Sequence, residues 1–216
     1  MEKSLEICPL FADIEMEQLE DLLSCLESRR RQYTKDEFIL SADERAVNMG
    51  IVLSGGANVV QEDFWGNRTI LTHCGPGELF GEAFSYAETE KLPVSVVATV
   101  SSEILLVDCR RIATVCSSAC VFHARLIANM LRILANKNIM LTQKMGFISK
   151  RTTREKLLAF LSAQAIKTKS SEVLIPFNRQ ELADYLCVER SALSRELGKM
   201  KNDGLLSYEK NRFILT

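Results

Sequence analysis

Long apolar runs are absent from this 216-residue sequence, and none approaches the roughly 20 residues that a helix needs to cross a bilayer. The acidic N-terminal stretch also lacks the character of a signal peptide. With 47% hydrophobic and 25% charged residues, the composition is that of an ordinary soluble protein. These features predict a cytoplasmic protein that has no membrane segment.

Patterns of catalytic and metal-binding residues are missing as well. The two histidines, His73 and His123, are isolated, and the sequence contains no nucleophile–base pair, phosphate-binding loop or metal-ligand spacing. We therefore expect no catalytic residue, no metal site and no enzyme activity. For His123 we expect an ordinary surface or interface position.

The seven cysteines do not form a pattern that predicts disulfide bonds. Their number is odd, their spacing is irregular and no Cys-x-x-Cys motif occurs. Cys116 and Cys120 lie one helical turn apart, which suits a redox or metal pair, although a free cysteine is commonly a small buried hydrophobic residue. A redox- or metal-responsive protein that works through this pair stays open as an alternative.

Charge is divided unevenly along the chain, although the net charge is only −1. From Lys144 onward there are 14 Lys and Arg against eight Asp and Glu, whereas the preceding residues hold 13 and 20. A basic module therefore follows an acidic one. This asymmetry is expected where only the C-terminal part meets the phosphates of a nucleic acid.

Residues 177–204 carry the pattern of two short helices joined by a tight turn. Leu182 and Leu186 recur one turn apart on the first helix, and the second helix repeats apolar residues at helical spacing. This layout is typical of a helix-turn-helix, whose second helix enters the major groove of DNA. The alternative is an ordinary helical hairpin with a solvated basic face.

The polar side of the second helix carries hydrogen-bond donors that can bind base edges or phosphates. These donors are Arg190, Ser191, Ser194, Arg195 and Lys199. Among them we expect Arg190 and Arg195 to dominate specificity. At the start of the first helix, Arg179 and Gln180 are predicted to position the DNA backbone.

The segments ELADYL and RSALSREL, separated by a short turn, resemble the DNA-binding domain of the Crp/Fnr transcription regulators. One departure is Cys187, where helix-turn-helix proteins usually place glycine, because a left-handed turn residue with a side chain is strained. Upstream, VLSGGANVV, GPGELFGEAF and PVSVVATVSSEILLVD resemble the β-roll of the cyclic-nucleotide-binding fold. The resemblance covers the whole chain and implies RNA polymerase as a further partner.

The predicted fold is α+β, with an N-terminal double-stranded, jelly-roll-like β-roll, a long dimerisation helix and a C-terminal winged helix-turn-helix. The expected domains are residues 1–118, 119–149 and 150–216. Six strands are predicted between residues 38 and 108, after an amphipathic helix at residues 13–26. Arg29 to Arg31 are interpreted as a solvated helix end, and residues 151–154 as the hinge before the DNA-binding domain.

The resemblance also indicates where an effector would bind in the roll. Gly81 and Glu82 occupy the positions of a Gly-Glu pair whose Glu holds the ribose of cyclic AMP, but Leu92 and Pro93 replace the Arg-Ser pair that binds its phosphate. Because Leu cannot pair with an anion and Pro offers neither hydroxyl nor N–H, we expect an effector other than cyclic AMP. The proposed pocket would be suited to an apolar ligand, or be filled and need none, and the alternative for Glu82 is that it only caps or salt-bridges the roll. Its candidate residues are Phe80, Gly81, Glu82, Phe84, Leu92, Pro93, Val94, Asn138, Leu141 and Thr142.

Oxygen-sensing members of the family hold an iron–sulfur cluster on closely spaced N-terminal cysteines. Cys8 and Cys25 are too sparse for that pattern. The sequence therefore leaves both the cofactor and the small-molecule effector unknown.

From residue 119 onward, apolar residues recur with alternating steps of four and three, which is the pattern of a coiled-coil seam. The seam consists of Ile127, Leu131, Leu134, Asn138, Leu141 and Met145. Asn138 falls where one polar residue fixes register and two-strandedness. We therefore expect a parallel homodimer that binds a palindromic operator on double-stranded DNA, with a helix buried within one chain as the alternative.

Overall fold

The computed structural model describes residues 3–45, 48–87, 89–113 and 121–216. They divide into two compact units: unit 1 comprises residues up to 67 together with 71–137, and unit 2 comprises 68–70 together with 138–216. Among the described residues, no helix combines the length and the hydropathy needed to cross a bilayer. The predicted pair Cys116 and Cys120 lies outside the described residues.

Unit 1 is built around two four-stranded sheets, with strand orders β1-β8-β3-β6 and β2-β7-β4-β5. The strands are β1 (Arg29–Tyr33), β2 (Phe38–Leu40), β3 (Asn48–Ser54), β4 (Ala57–Glu62), β5 (Arg68–Cys74), β6 (Leu79–Phe80), β7 (Ser95–Ala98) and β8 (Ser102–Asp108). Neighbouring strands run antiparallel in the pairs β1–β8, β8–β3, β3–β6, β2–β7 and β7–β4. This arrangement confirms the predicted β-roll.

Strand β3 is buried on both faces because it separates two hydrophobic clusters. Met49, Ile51 and Leu53 point into a cluster shared with the helices, and Val52 points between the two sheets. Gly50 is required within this strand, since a Cβ there would lie 2.1 Å from Cζ of Phe80. The absence of a side chain leaves room for the tip of the Phe80 ring against the strand.

The interpretation of Arg29 to Arg31 as a helix end is wrong. These residues form β1, which pairs antiparallel with β8 at the edge of its sheet. Only Tyr33 of this strand is buried. An edge strand with exposed charged side chains shows no apolar alternation, so the sequence pattern carried little strand signal.

Helices of unit 1 cover the outer face of the sheet that contains β3. They are α1 (Lys3–Glu6), a 3-10 turn (Pro9–Phe11), α2 (Met16–Cys25), α3 (Glu82–Tyr86), α4 (Cys109–Ala113) and the first part of α5 (Val121–Ile148). Leu126, Met130 and Ile133 of α5 join the same cluster as Leu19 and Leu22 of α2. His123 is buried within the single chain, which contradicts the surface alternative of the expected surface or interface position.

Between β4 and β5, a turn projects two aromatic side chains into solvent. Phe64 and Trp65 are 94% and 82% exposed, and their rings meet edge to face. The side chain of Asp63 fixes the turn by accepting hydrogen bonds from the backbone N–H groups of Trp65 and Asn67. The aromatic pair therefore stands on an ordered turn.

Unit 2 contains the end of α5 and a winged helix-turn-helix. Its further elements are α6 (Thr153–Thr168), β9 (Glu172–Leu174), α7 (Arg179–Leu186), α8 (Arg190–Asn202), β10 (Leu206–Glu209) and β11 (Arg212–Leu215), with the sheet order β10-β11-β9. Thr152 caps α6 through a capping box with Glu155. The α+β fold class is thereby confirmed.

The expected domains 1–118, 119–149 and 150–216 stay a prediction. The compact units divide within α5, between Lys137 and Asn138, rather than after its last residue.

Candidate DNA-binding face and effector pocket

Helices α7 and α8 form the two-helix motif because their apolar residues meet in one core. Leu182, Ala183 and Leu186 of α7 and Leu193, Leu197 and Met200 of α8 are all fully buried. Asn178 caps α7 by accepting hydrogen bonds from the N–H groups of Gln180 and Glu181, while Glu181 accepts from the backbone of Asn178. The start of α7 is therefore fixed by its own sequence.

Cys187 ends α7 in the left-handed conformation, with φ 52° and ψ 57°. The usual glycine at this position implied a left-handed conformation, and Cys187 adopts that conformation although it carries a side chain. Lys156 of α6 stabilises the turn by donating to the carbonyl oxygen of Cys187 at 3.1 Å. The turn thus keeps the geometry of a helix-turn-helix at the cost of backbone strain.

The structure places all five predicted DNA-contacting residues of α8 on its exposed side. Ser191 donates a hydrogen bond to Glu189 at 2.8 Å. Glu196 faces the other way and accepts a hydrogen bond from Nε of Arg154 at 2.6 Å. Arg190 and Arg195 form no ion pair with a described residue, so their guanidinium groups are available to an anion or a base edge.

Arg179 and Gln180 lie at the first turn of α7, as predicted. The guanidinium carbon of Arg179 lies 4.8 Å from the ring centre of Tyr208 and 5.0 Å from that of Phe213. Burial against these rings lowers the pKa of Arg179. Gln180 donates from Nε2 to Asp184 at 2.8 Å. Arg179 is therefore partly immobilised by the wing.

In unit 1, Glu82 is buried and forms an ion pair, whose partner, Lys137, was not predicted from the sequence. Nζ of Lys137 lies 2.7 Å from Oε1 of Glu82 and also donates to the carbonyl oxygen of Leu79 at 2.6 Å. The other oxygen, Oε2, has no partner among the described residues. Gly81 precedes α3 with a φ of 83°, which favours glycine.

The remaining pocket candidates on the roll mostly fill its interior. Phe80, Leu92 and Val94 are buried, Phe84 is half-buried, and Pro93 is exposed. Leu92 is held at the backbone, where its carbonyl accepts from Asp43 and its N–H donates to Glu44. On α5, Asn138, Leu141 and Thr142 are exposed, and the Thr142 hydroxyl donates to the carbonyl of Asn138.

Comparison with known proteins identifies both halves of the chain. The family model of the cyclic nucleotide-binding domain matches residues 30–119, and that of the Crp-like helix-turn-helix domain matches residues 155–216. The chain belongs to the Crp/Fnr family of transcription regulators. The resemblance inferred from the sequence is thus confirmed.

Two relatives of this Crp/Fnr regulator align along most of its length. The nitrogen fixation regulation protein FixK of Azorhizobium caulinodans is 25% identical over 195 residues, which cover 85% of this chain and 73% of FixK. The CRP-like protein Clp of Xanthomonas campestris is 24% identical, with coverage of 87% and 84%. A solved structure of Clp, named a c-di-GMP responsive global regulator, superposes with a TM-score of 0.76 at 20% identity and covers 93% of this chain and 99% of its own.

The long helix of this Crp/Fnr regulator separates a buried from an exposed face. Leu126, Met130, Ile133 and Lys144 face inward. Of the six predicted seam residues, Ile127, Leu131, Asn138, Leu141 and Met145 are exposed and Leu134 is half-buried. The chain alone therefore leaves an apolar stripe of α5 uncovered.

The last turns of α5 are packed onto the DNA-binding module within unit 2. Nζ of Lys144 lies 4.1 Å from the ring centre of Tyr185 in α7, and Phe147 meets Phe160 of α6 edge to face. Burial lowers the pKa of Lys144 to about 8. These contacts join the residues on either side of the predicted hinge at 151–154 into one compact unit.

Most described cysteines of this regulator are in apolar surroundings. Burial raises the pKa of Cys8 to about 11 and that of Cys74 to about 12. A protonated thiol is a poor metal ligand and a poor nucleophile. Cys25 and Cys187 are exposed.

Proposed function

We propose that this regulator is a homodimer that recognises a palindromic operator through α8. The observation that carries the proposal is the exposed polar side of α8, where Arg190 and Arg195 stand without a carboxylate partner among the described residues. An arginine can donate two hydrogen bonds to a guanine edge. Ser191, Ser194 and Lys199 would add contacts to bases or phosphates.

The uncovered stripe of α5 supports the homodimer. Exposed apolar residues at steps of four and three match the seam of a two-stranded coiled coil, and Asn138 takes the polar position in that seam. A two-fold dimer places two α8 helices about one DNA turn, roughly 34 Å, apart. This geometry requires an operator with two inverted half-sites. RNA polymerase is the further partner that a regulator of transcription would require.

The base-contacting role of Arg195 can be tested with an operator selected from random duplexes. We expect Arg195→Ala to weaken operator binding by about 1–3 kcal/mol, with a much smaller loss on an unrelated duplex, because a base contact is lost. The measurement is a titration of both duplexes at one salt concentration. Lys150→Ala is the matched control, since it removes an exposed positive charge outside α7 and α8. Equal losses on both duplexes would exclude the base-contacting role.

An effector would bind in the roll and act through α5. The contacts of Lys144 with Tyr185 in α7 and of Phe147 with Phe160 in α6 support a path from the end of α5 to the DNA-binding module. An effector needs only a higher affinity for the DNA-competent state to shift the equilibrium. Native mass spectrometry of the purified protein would reveal a retained ligand as added mass.

A second candidate is a regulator that binds DNA without an effector. It is supported by the buried Leu92, Phe80 and Val94, and by Lys137, which already neutralises Glu82 inside the roll. The operator affinity of ligand-free protein, measured alone and with each of a set of nucleotides that includes c-di-GMP, separates the two candidates. An affinity that is high without ligand and that no nucleotide changes favours the effector-independent regulator. A redox role for Cys116 and Cys120 would instead change DNA affinity between reducing and oxidising buffer.

A further inference from the structure

Tyr208 of the wing contacts two cations from different elements. The guanidinium carbon of Arg179, at the start of α7, lies 4.8 Å from the Tyr208 ring centre, and Nζ of Lys201, at the end of α8, lies 5.6 Å from it. We infer that Tyr208 is a positioning residue that holds Arg179 and Lys201 as a two-cation site for one backbone phosphate of DNA. This inference rests on the proposed DNA-binding function.

Three acidic side chains of the same unit are engaged by other groups. Glu181 accepts a hydrogen bond from the backbone of Asn178, Asp203 pairs with Arg154, and Glu172 pairs with Arg212. Neither Arg179 nor Lys201 forms an ion pair with a described residue. Within the described part of the chain, the two cations therefore have no ion-pair partner.

An aromatic ring suits this task better than a carboxylate would. The ring face attracts a cation through its quadrupole but leaves the net positive charge in place. Both cations thus keep their full charge for an incoming anion, while their side chains lose the freedom to swing away. A phosphate that contacts both would also relieve the repulsion between them.

The position of the ring within the fold favours DNA over a free anion as the source of this phosphate. Tyr208 lies in β10, and its two cations come from the helices that form the DNA-binding motif. Phe213 of β11, which is fully buried, supports Arg179 at 5.0 Å. The site is thus assembled only when the wing and both helices of the motif are folded together.

The test compares Tyr208→Leu, Tyr208→Phe and Lys201→Met with the wild-type protein on the selected operator and on a random-sequence duplex. We expect Tyr208→Leu and Lys201→Met to weaken binding to both duplexes equally, by roughly 2- to 5-fold. The slope of log affinity against log salt should become shallower by about one per protomer. Tyr208→Phe should bind like the wild type because it retains the ring.

Thermal unfolding of each variant controls for the fold. A folded Tyr208→Leu with the wild-type salt slope would overturn the inference, and so would a Tyr208→Phe that is as weak as Tyr208→Leu. If Tyr208→Leu does not fold, Lys201→Met decides, because Lys201 is exposed and its loss leaves the core intact. Wild-type protein that binds no DNA would refute the proposed function itself. If the wild type prefers the operator but the variants keep its slope of log affinity against log salt, only the two-cation site is refuted.

Discussion

Cys187 sets a limit on the stability of the turn between α7 and α8. Its φ of 52° lies in the left-handed region, where a side chain costs about 1–2 kcal/mol relative to the right-handed conformation. The side chain itself is exposed and packs into no core. The strain is therefore a property of the backbone at this position and can be relieved there.

We expect Cys187→Gly to raise the free energy of unfolding by about 1 kcal/mol, since glycine adopts this conformation without a steric penalty but gains freedom in the unfolded chain. Urea unfolding would measure the change. Cys187→Ala is the matched control, because it removes the thiol and keeps the Cβ. If the alanine variant gained as much stability as the glycine variant, the thiol rather than the backbone would be the cause.

Lys144 couples the stability of unit 2 to pH. Its ammonium group is buried beside the ring of Tyr185, and it donates to the carbonyl oxygen of Ile70 in the same unit. The folded pKa is about 8, below the ordinary value of 10.5. Because the folded state binds the proton less tightly than the unfolded state, stability should rise with pH between these two values.

We expect the unfolding free energy of wild type to rise by up to about 3 kcal/mol between pH 8 and 10.5 relative to Lys144→Met. Subtracting the variant removes the contribution of neighbours such as Tyr185, whose pKa burial raises. Urea unfolding at a series of pH values provides the measurement. Parallel profiles of the two proteins would show that Lys144 does not titrate in this window.

Single residues also show where sequence reasoning reaches its limit. The polar positions of α8 and the need for a left-handed residue at Cys187 follow from helical spacing and turn geometry, which are local. The pairing of Lys137 with Glu82 joins residues 55 positions apart. The residues that surround Lys137 in the sequence of its long helix do not indicate such a partner.

At the scale of elements, α5 is the helix whose two faces have different tasks. One face completes the hydrophobic cluster of unit 1, and the opposite face presents the predicted seam to solvent. A charged residue in a coiled-coil seam would be buried against its partner chain, at a high cost in free energy. The dimer is thus testable by one substitution.

We expect Leu131→Glu to convert the protein from dimer to monomer, as judged by the mass measured in sedimentation equilibrium. Leu131 is 64% exposed in the single chain, so the substitution should leave the fold of each protomer intact. Ile139→Glu is the matched control: Ile139 is 56% exposed on the same helix but lies outside the seam. Monomeric wild type, or equal dissociation by both variants, would contradict the seam.

Elements differ in how far the sequence determined them. The first of the six predicted strands begins at residue 38, where β2 begins, and the amphipathic pattern at residues 13–26 gave α2 within a few residues. The edge strand β1 and the two-residue β6 were missed. Their residues become strands through hydrogen bonds to β8 and β3, which lie far away in sequence.

At the scale of the whole molecule, the interior of the roll decides which ligands can act. Leu92 is buried where the family resemblance places the residue that binds phosphate, and Lys137 already neutralises Glu82. A cyclic nucleotide would have to bury a charged phosphate without a compensating group from Leu92 or Pro93. Burial of an uncompensated charge is strongly unfavourable.

We therefore expect cyclic AMP to leave both the melting temperature and the operator affinity of the protein unchanged. Differential scanning fluorimetry over a range of cyclic AMP concentrations is the measurement, since any ligand that binds the folded state raises its melting temperature. Operator DNA serves as the positive control for the shift. A rise that saturates with cyclic AMP would contradict the assignment of Leu92 and Pro93.

The turn that carries Phe64 and Trp65 has a spectroscopic consequence. Trp65 is the single tryptophan of the sequence, and its indole is mostly exposed. Emission excited in the indole band therefore comes from one point of the molecule, the tip of the β4–β5 hairpin. A blue shift or loss of iodide quenching would report that something has covered this tip, without any label attached to the protein.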